Sequence, residues 1–192
     1  MKMKSALSLF LILLSLPALA FEQKDLERLI KSKRCVQCDL QQANLEKADL
    51  KKNYLQGANL QQANLAGANL QSAKLYKAHL RKANLSGANL RMARLEQVDM
   101  GEAVLVGAVL TKGYLDQANL DRCNLNKADL REAHLVGAFM MGVDLTEADL
   151  RGANLFGANL DQAQWNGARL DGAHWINGKI CQANSVGKCN LP

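Results

Sequence analysis

Five cysteines, three histidines and a run of lysines and arginines are the side chains of this 192-residue sequence with reach toward chemistry. Cys35 and Cys38 stand in a Cys-x-x-Cys spacing, the pattern of a redox pair or of half a zinc site. A zinc site takes four ligands, and no second Cys or His pair lies near that end of the sequence. No His follows Cys38, so haem attachment is not supported. His79, His134 and His174 lie far apart and in no catalytic spacing. The sequence holds no phosphate loop and no Gly-x-Ser-x-Gly elbow. The expectation is a protein that is not an enzyme and takes neither cofactor nor metal.

The element that must carry these residues has an unusual period. From position 40 to 170 every fifth residue is large and apolar: of 27 such positions 24 are Leu, with Met100, Met140 and Trp165 as exceptions. The residue two places before such a position is small; of the 27 positions from 43 to 173, 22 are Ala. On an α-helix a step of five turns the side chain by about 140°, so the leucines would share no face. On a straight strand five is odd, and successive leucines would point to opposite sides. A chain that turns once per repeat satisfies the pattern. Ala and Leu point inward from a short extended segment, the residue between them points out, and the other two make a corner. Ten of the 14 glycines occupy the second corner position, where a tight bend suits a residue without Cβ.

The outward residue before each Leu tests how many sides close the coil. Sorted by 20, positions 54, 74, 94, 114, 134, 154 and 174 read Tyr, Lys, Arg, Tyr, His, Asn, His, with one Asn or Asp in seven. The other three columns hold 15 in 22. Four repeats per coil, with one side chemically unlike the rest, follow from that segregation. The fold class read here is all-β, a quadrilateral parallel β-helix. Seven coils at about 4.8 Å each make a rod roughly 34 Å long. The repeats Ala-Asn-Leu-Gln-Gln, Ala-Asn-Leu-Ala-Gly and Ala-Asp-Leu-Arg-Gly resemble the pentapeptide-repeat family, whose members form right-handed quadrilateral β-helices. The resemblance covers roughly residues 35 to 180 and implies fold far more than activity.

Residues 1–20 read as a secretory signal peptide. Lys2 and Lys4 precede an apolar run from position 6 to 16, then Pro17, and Ala18-Leu19-Ala20 forms a small-x-small site, predicting cleavage after Ala20. The apolar run is shorter than the roughly 17 to 25 residues that span a bilayer. A periplasmic or secreted protein is expected. Residues 21–34 read as a capping helix, with Leu26, Leu29 and Ile30 at helical spacing over the first coil. Residues 35–180 form the β-helix and residues 181–192 a C-terminal capping segment, with Trp165 and Trp175 plugging the last coils.

In an exported protein disulfides are the default. Cys123 lies about 20 Å along the axis from Cys38 and about 14 Å from Cys181 by strand spacing, whereas a disulfide needs Cα atoms within about 7 Å. Pairs Cys35–Cys38 and Cys181–Cys189 are therefore predicted, with Cys123 a buried free thiol at an Ala position. The opening Lys-Arg-Cys-x-x-Cys-Asp-Leu resembles the start of other exported members of the family. Whether that pair is structural or redox-active stays open at this point.

The unlike column and the corner before it carry Lys51, Lys52, Lys74, Arg91, Arg94, Lys112, Arg131 and Arg151, opposed within the stripe by Glu132 and Asp171 alone. Tyr54, Tyr114 and His134 interleave with them. Without the leader the chain has 22 basic and 18 acidic residues. Cations repeated along a rod attract anionic polymers, membrane surfaces or acidic proteins, although charged faces are usually just solvated. Two functions follow: a non-catalytic binding module for an anionic envelope component or acidic protein, or a rigid spacer without a dedicated ligand. The resemblance also brings a reading in which a DNA-shaped rod protects DNA gyrase from quinolones, as some cytosolic members do. The leader and the positive charge depart from that pattern, and nucleic acid is not the expected partner. Val104, Val106, Val109, Phe139 and Met141 sit outward where polar residues are usual and suggest a homodimer contact.

Overall fold

The computed structural model describes residues 23 to 192; the leader and cleavage site expected from the sequence lie outside the described residues. Every outward residue from Arg34 to Asn154 bridges in parallel to the residue 20 positions on, for example Arg34 to Tyr54, Asp39 to Asn59, Asn44 to Asn64 and Asp49 to Asn69. Twenty residues therefore make one coil of four repeats. The sides are numbered here by their outward residues: side 1 from Asp39, side 2 from Asn44, side 3 from Asp49 and side 4 from Arg34.

The period works because each repeat meets three requirements at once. Leu and Ala are buried in one continuous core along the rod. The Leu N–H donates to the outward residue of the coil above, as Leu45 does to Asn64 at 2.8 Å, and the outward N–H donates to the coil below, as Asn64 does to Ala43 at 3.0 Å. The corner closes through Ala N–H to the preceding Leu carbonyl, as in Ala43 to Leu40 at 3.1 Å. Its second residue takes positive φ whether or not it is glycine: Gly57 is at 63° and Lys52 at 58°. Glycine relieves the left-handed conformation there, yet the stacked coils impose it on long side chains as well.

On sides 1 to 3 the outward Asn and Asp explain themselves. Asn59 Nδ2 donates to Asp39 Oδ1 at 3.1 Å and Asn119 Nδ2 to Asp99 Oδ1 at 3.0 Å, one coil apart. The same Oδ1 accepts the N–H two residues on, as Asp39 does from Gln41, and so caps the corner.

Both ends depart from the repeat. Helix α1, Gln23–Ser32, buries Leu26 and Leu29 in the core, and the Asp25 carboxylate accepts the Asp39 N–H at 2.9 Å, where a coil below would offer a carbonyl. Ile30, expected on the same face, is 49% exposed. It follows Leu29 by one position and about 100° of helix rotation, which turns it off the buried stripe. At the other end the chain doubles back, with antiparallel bridges Arg169 to Val186 and His174 to Ile180. Trp165 and Trp175 pack beside one another, ring centroids 5.6 Å apart, at the margin of the core. No helix among the described residues is long and apolar enough to cross a membrane.

Candidate functional site

Side 4 lacks the Asn ladder and replaces it with stacked rings and cations. The Arg34 guanidinium lies 4.6 Å from the Tyr54 ring centroid and Lys74 Nζ lies 4.3 Å from it, so one ring is held between two cations. Further up the side, Tyr114 and His134 stack at 5.0 Å. Parallel register produces this, since outward side chains one coil apart sit about 4.8 Å from each other.

The stripe of eight cations divides in two. Lys51, Lys52 and Arg91 are exposed at corners and form no ion pair among the described residues, and Lys74 meets only the tyrosine ring. The other four are neutralised. Arg94 donates from Nε and Nη2 to Glu96 Oε1 at 2.9 and 2.7 Å; Lys112 pairs with Glu132 at 3.3 Å. Arg131 clasps Asp129 and Arg151 clasps Asp149, at 2.7 and 2.6 Å. Glu96, Asp129 and Asp149 lie just outside the stripe, so setting only Glu132 and Asp171 against the cations overstates its charge.

Protonation behaviour agrees with this pairing. Glu96 hydrogen-bonds Arg94, Asp129 hydrogen-bonds Arg131 and Asp149 hydrogen-bonds Arg151, and each arginine is held above its ordinary range. The Arg131 hydrogen bond holds Asp129 below the usual carboxylate range. Partial burial acts upward on Asp149, but Arg151 and Arg169 outweigh it and leave its carboxyl low as well.

Charge is in fact sorted along the axis. Residues 23–92 contain 13 basic and five acidic residues, a net +8, while residues 93–192 contain nine basic and 12 acidic, a net −3. The uncompensated cations Arg34, Lys51, Lys52, Lys74 and Arg91 all belong to the first half. Counting the stripe from position 51 missed Arg34, although 34 is 54 less one coil. The sequence signal for neutralisation was the tripeptide Asp-Leu-Arg at 129–131 and 149–151, which sets an outward carboxylate beside the first corner residue.

The remaining candidates do not converge on this surface. His79 is on side 1, and His134 and His174 on side 4 are separated by Asn154. No group of three or more His, Cys, Asp or Glu that could hold a metal ion occurs among the described residues. Cys35–Cys38 and Cys181–Cys189 are disulfide-bonded, and Cys123 is free and buried. Cys35 and Cys38 take the Leu and Ala places of the first repeat, both essentially inaccessible. Val104 lies on side 2, Val109 on side 3 and Phe139 on side 1, so the outward apolar residues do not form one patch.

Stacked five-residue repeats around a Leu and Ala core define a β-helical repeat protein. Eight copies of the profile described as pentapeptide repeats match, over residues 34–70, 63–101, 88–127, 123–162 and 148–184, and the chain belongs to that family. Its members form right-handed β-helices. Among solved structures the chain is similar to HetL of Nostoc sp. strain PCC 7120, a pentapeptide repeat protein involved in heterocyst differentiation regulation. Identity there is 30% over 77% of this chain and 86% of HetL, with a TM-score of 0.37. It is also similar to Rfr23 of Cyanothece 51142, with 28% identity over 79% and 97% of the two chains and a TM-score of 0.38. Full-length QnrB1, a plasmid-mediated fluoroquinolone resistance protein, is 17% identical over 82% and 79%, with a TM-score of 0.31. Among curated proteins none matches.

Proposed function

We propose that the protein is an exported, non-catalytic binding module that holds an extended anionic envelope component against the basic edge of its first four coils. The observation that carries this reading is the cluster of Arg34, Lys51, Lys52, Lys74 and Arg91, five cations without a carboxylate partner, in a half of the chain that is +8. They follow one edge, flanked by Asn-rich ladders that start at Asp39 and Asp49, and a narrow edge suits a linear polymer better than a broad bilayer. Export is supported by the leader-like residues 1–20 and by two disulfides, which persist in oxidising compartments. Helix α1 serves as the cap of the first coil. In residues 93–192 the neutralised cations favour a second role, a stiff spacer that sets the bound component at a fixed distance.

Calorimetric titration with an acidic polysaccharide, repeated with anionic vesicles, tests the proposal. Binding of the polysaccharide should weaken steeply with salt and fall at least tenfold in a Lys51→Glu, Lys52→Glu, Arg91→Glu variant, while Arg131→Glu with Arg151→Glu changes it little. Equal binding by all three proteins, or binding to vesicles alone, overturns it.

A further inference from the structure

We infer that the basic edge reads one stereochemical class of uronic-acid polymer, the diequatorially linked chain that lies as a flat ribbon with its carboxylates on alternating edges. The inference rests on the edge being an anion site and concerns which anion it takes. The uncompensated cations do not form one line. Arg34 and Lys74 point outward from side 4, two coils and about 10 Å apart, with the Tyr54 ring held between them. Lys51 with Lys52, and then Arg91, occupy the corner before that side, again two coils apart. The coil between them places Gln71 and Ser72 at the corner, in register through Lys52 N–H to the Gln71 carbonyl and Ser72 N–H to the Arg91 carbonyl, each at 2.9 Å. The two columns are thus out of step by one coil. Along the rod, positive charge falls on side 4, then on the corner, then on side 4, then on the corner, one step per coil.

Acid partners stand where the alternation would otherwise break. One coil above Lys74 the alternation leaves side 4 neutral, and the cation there, Arg94, is bound by Glu96 at 2.7 Å. One coil above Arg91 it leaves the corner neutral, and Lys112 is paired there with Glu132 at 3.3 Å. Lys77 lies outside both columns, on the opposite corner of side 4, over the Tyr76 ring at 5.1 Å. Four alternating steps remain, from Arg34 to Arg91.

A linear polymer matches this pattern only if its own charges alternate at the same step. In a chain of pyranose rings joined by equatorial bonds, each ring is turned over relative to the last and advances by roughly the height of one coil. A carboxylate on every ring then points left and right in turn. Such carboxylates meet Arg34, Lys51 or Lys52, Lys74 and Arg91 in order, through charge-assisted hydrogen bonds, while the Gln71 amide and Ser72 hydroxyl are free to bond ring hydroxyls. Axially linked uronate chains wind into a helix whose neighbouring carboxylates do not alternate, and a chain with a carboxylate on every second ring presents all of them along one edge. Either leaves one column of cations unmet. Axial bonds also shorten the advance per ring, so attraction by the field of the rod alone would favour the axial polymer, which is the more densely charged.

Calorimetric titration of the purified chain with polymannuronate and with polygalacturonate of equal length tests the inference. Both carry one carboxylate per ring, the first on diequatorial and the second on diaxial bonds. Polymannuronate should bind at least tenfold more tightly at every salt concentration. A Gln71→Lys, Lys74→Gln variant moves one cation between the columns at unchanged net charge, and its preference should fall to near unity with an unchanged circular dichroism spectrum. Because losing Lys74 from the Tyr54 ring could disturb the first coils, a Ser72→Lys variant gives a second reading; Lys52 and Lys112 already take that corner place with positive φ. It should gain affinity for polygalacturonate more than for polymannuronate. Absence of binding by either polymer would remove the anion site and this inference with it. Equal affinity for the two, or a preference that both variants retain, would leave the anion site standing and overturn the alternation.

Discussion

Cys123 and Asn53 both stand at Ala positions inside the coil, and they illustrate two outcomes of placing another atom set there. The Cys123 thiol is buried, donates to the Met100 carbonyl at 2.8 Å, and is pushed up by burial to about 12. It should resist alkylation in the native protein above the ordinary thiol range near about 8.5 and react once in denaturant; rapid labelling of the folded chain would contradict its placement. Asn53 is 2% exposed and its Oδ1 has no partner. An unsatisfied buried polar group costs about 1 to 3 kcal/mol, so Asn53→Ala should raise stability by about 1 kcal/mol in denaturant unfolding, and a loss would show that the amide fills a necessary space. Asp129 and Asp149 titrate below their unfolded value of about 3.9. Their clasps with Arg131 and Arg151 therefore contribute fully above that value and are lost as pH falls through the folded one. Melting temperature should drop on acidification below about pH 4, less so in an Asp129→Asn, Asp149→Asn variant. An identical pH profile for both would remove the clasps from the stability of the rod.

At the scale of the element, the corner and the first repeat show what could be read in advance. The Leu and Ala period announced the coil because burial recurs at a fixed spacing, and the Asn-poor column announced four sides because outward residues stack by register. Ile30 was misplaced because helical spacing alone does not separate the edge of a buried stripe from its centre. The role of Cys35 and Cys38 is open in the sequence, since Cys-x-x-Cys serves several chemistries; in the fold they are bonded to each other and fill buried Leu and Ala slots beside α1. A bridge closing so short a loop contributes about 2 kcal/mol, and a Cys35→Leu, Cys38→Ala variant restores the repeat residues. It should fold and retain anion binding with a modest loss of stability. Collapse of the fold would show instead that the covalent link is indispensable to the first coil.

Over the whole molecule the rod is sorted by charge, with residues 23–92 basic and residues 93–192 leaning acidic. The basic edge was legible as a column of cations, but its restriction to the first four coils was not. Neutralisation depends on Glu96 at a corner and on Asp129 and Asp149, outward residues of side 3 that reach Arg131 and Arg151, so the column of side 4 alone does not record it. Arg34, held on Tyr54, was hidden because the repeat count began after it. Amide hydrogen exchange on the purified chain with and without an acidic polysaccharide tests the central claim most directly. Binding should slow exchange along the basic edge between residues 34 and 94 and leave the Asp129–Arg151 region unchanged. Protection centred on that second region, or spread evenly over the rod, would contradict the account.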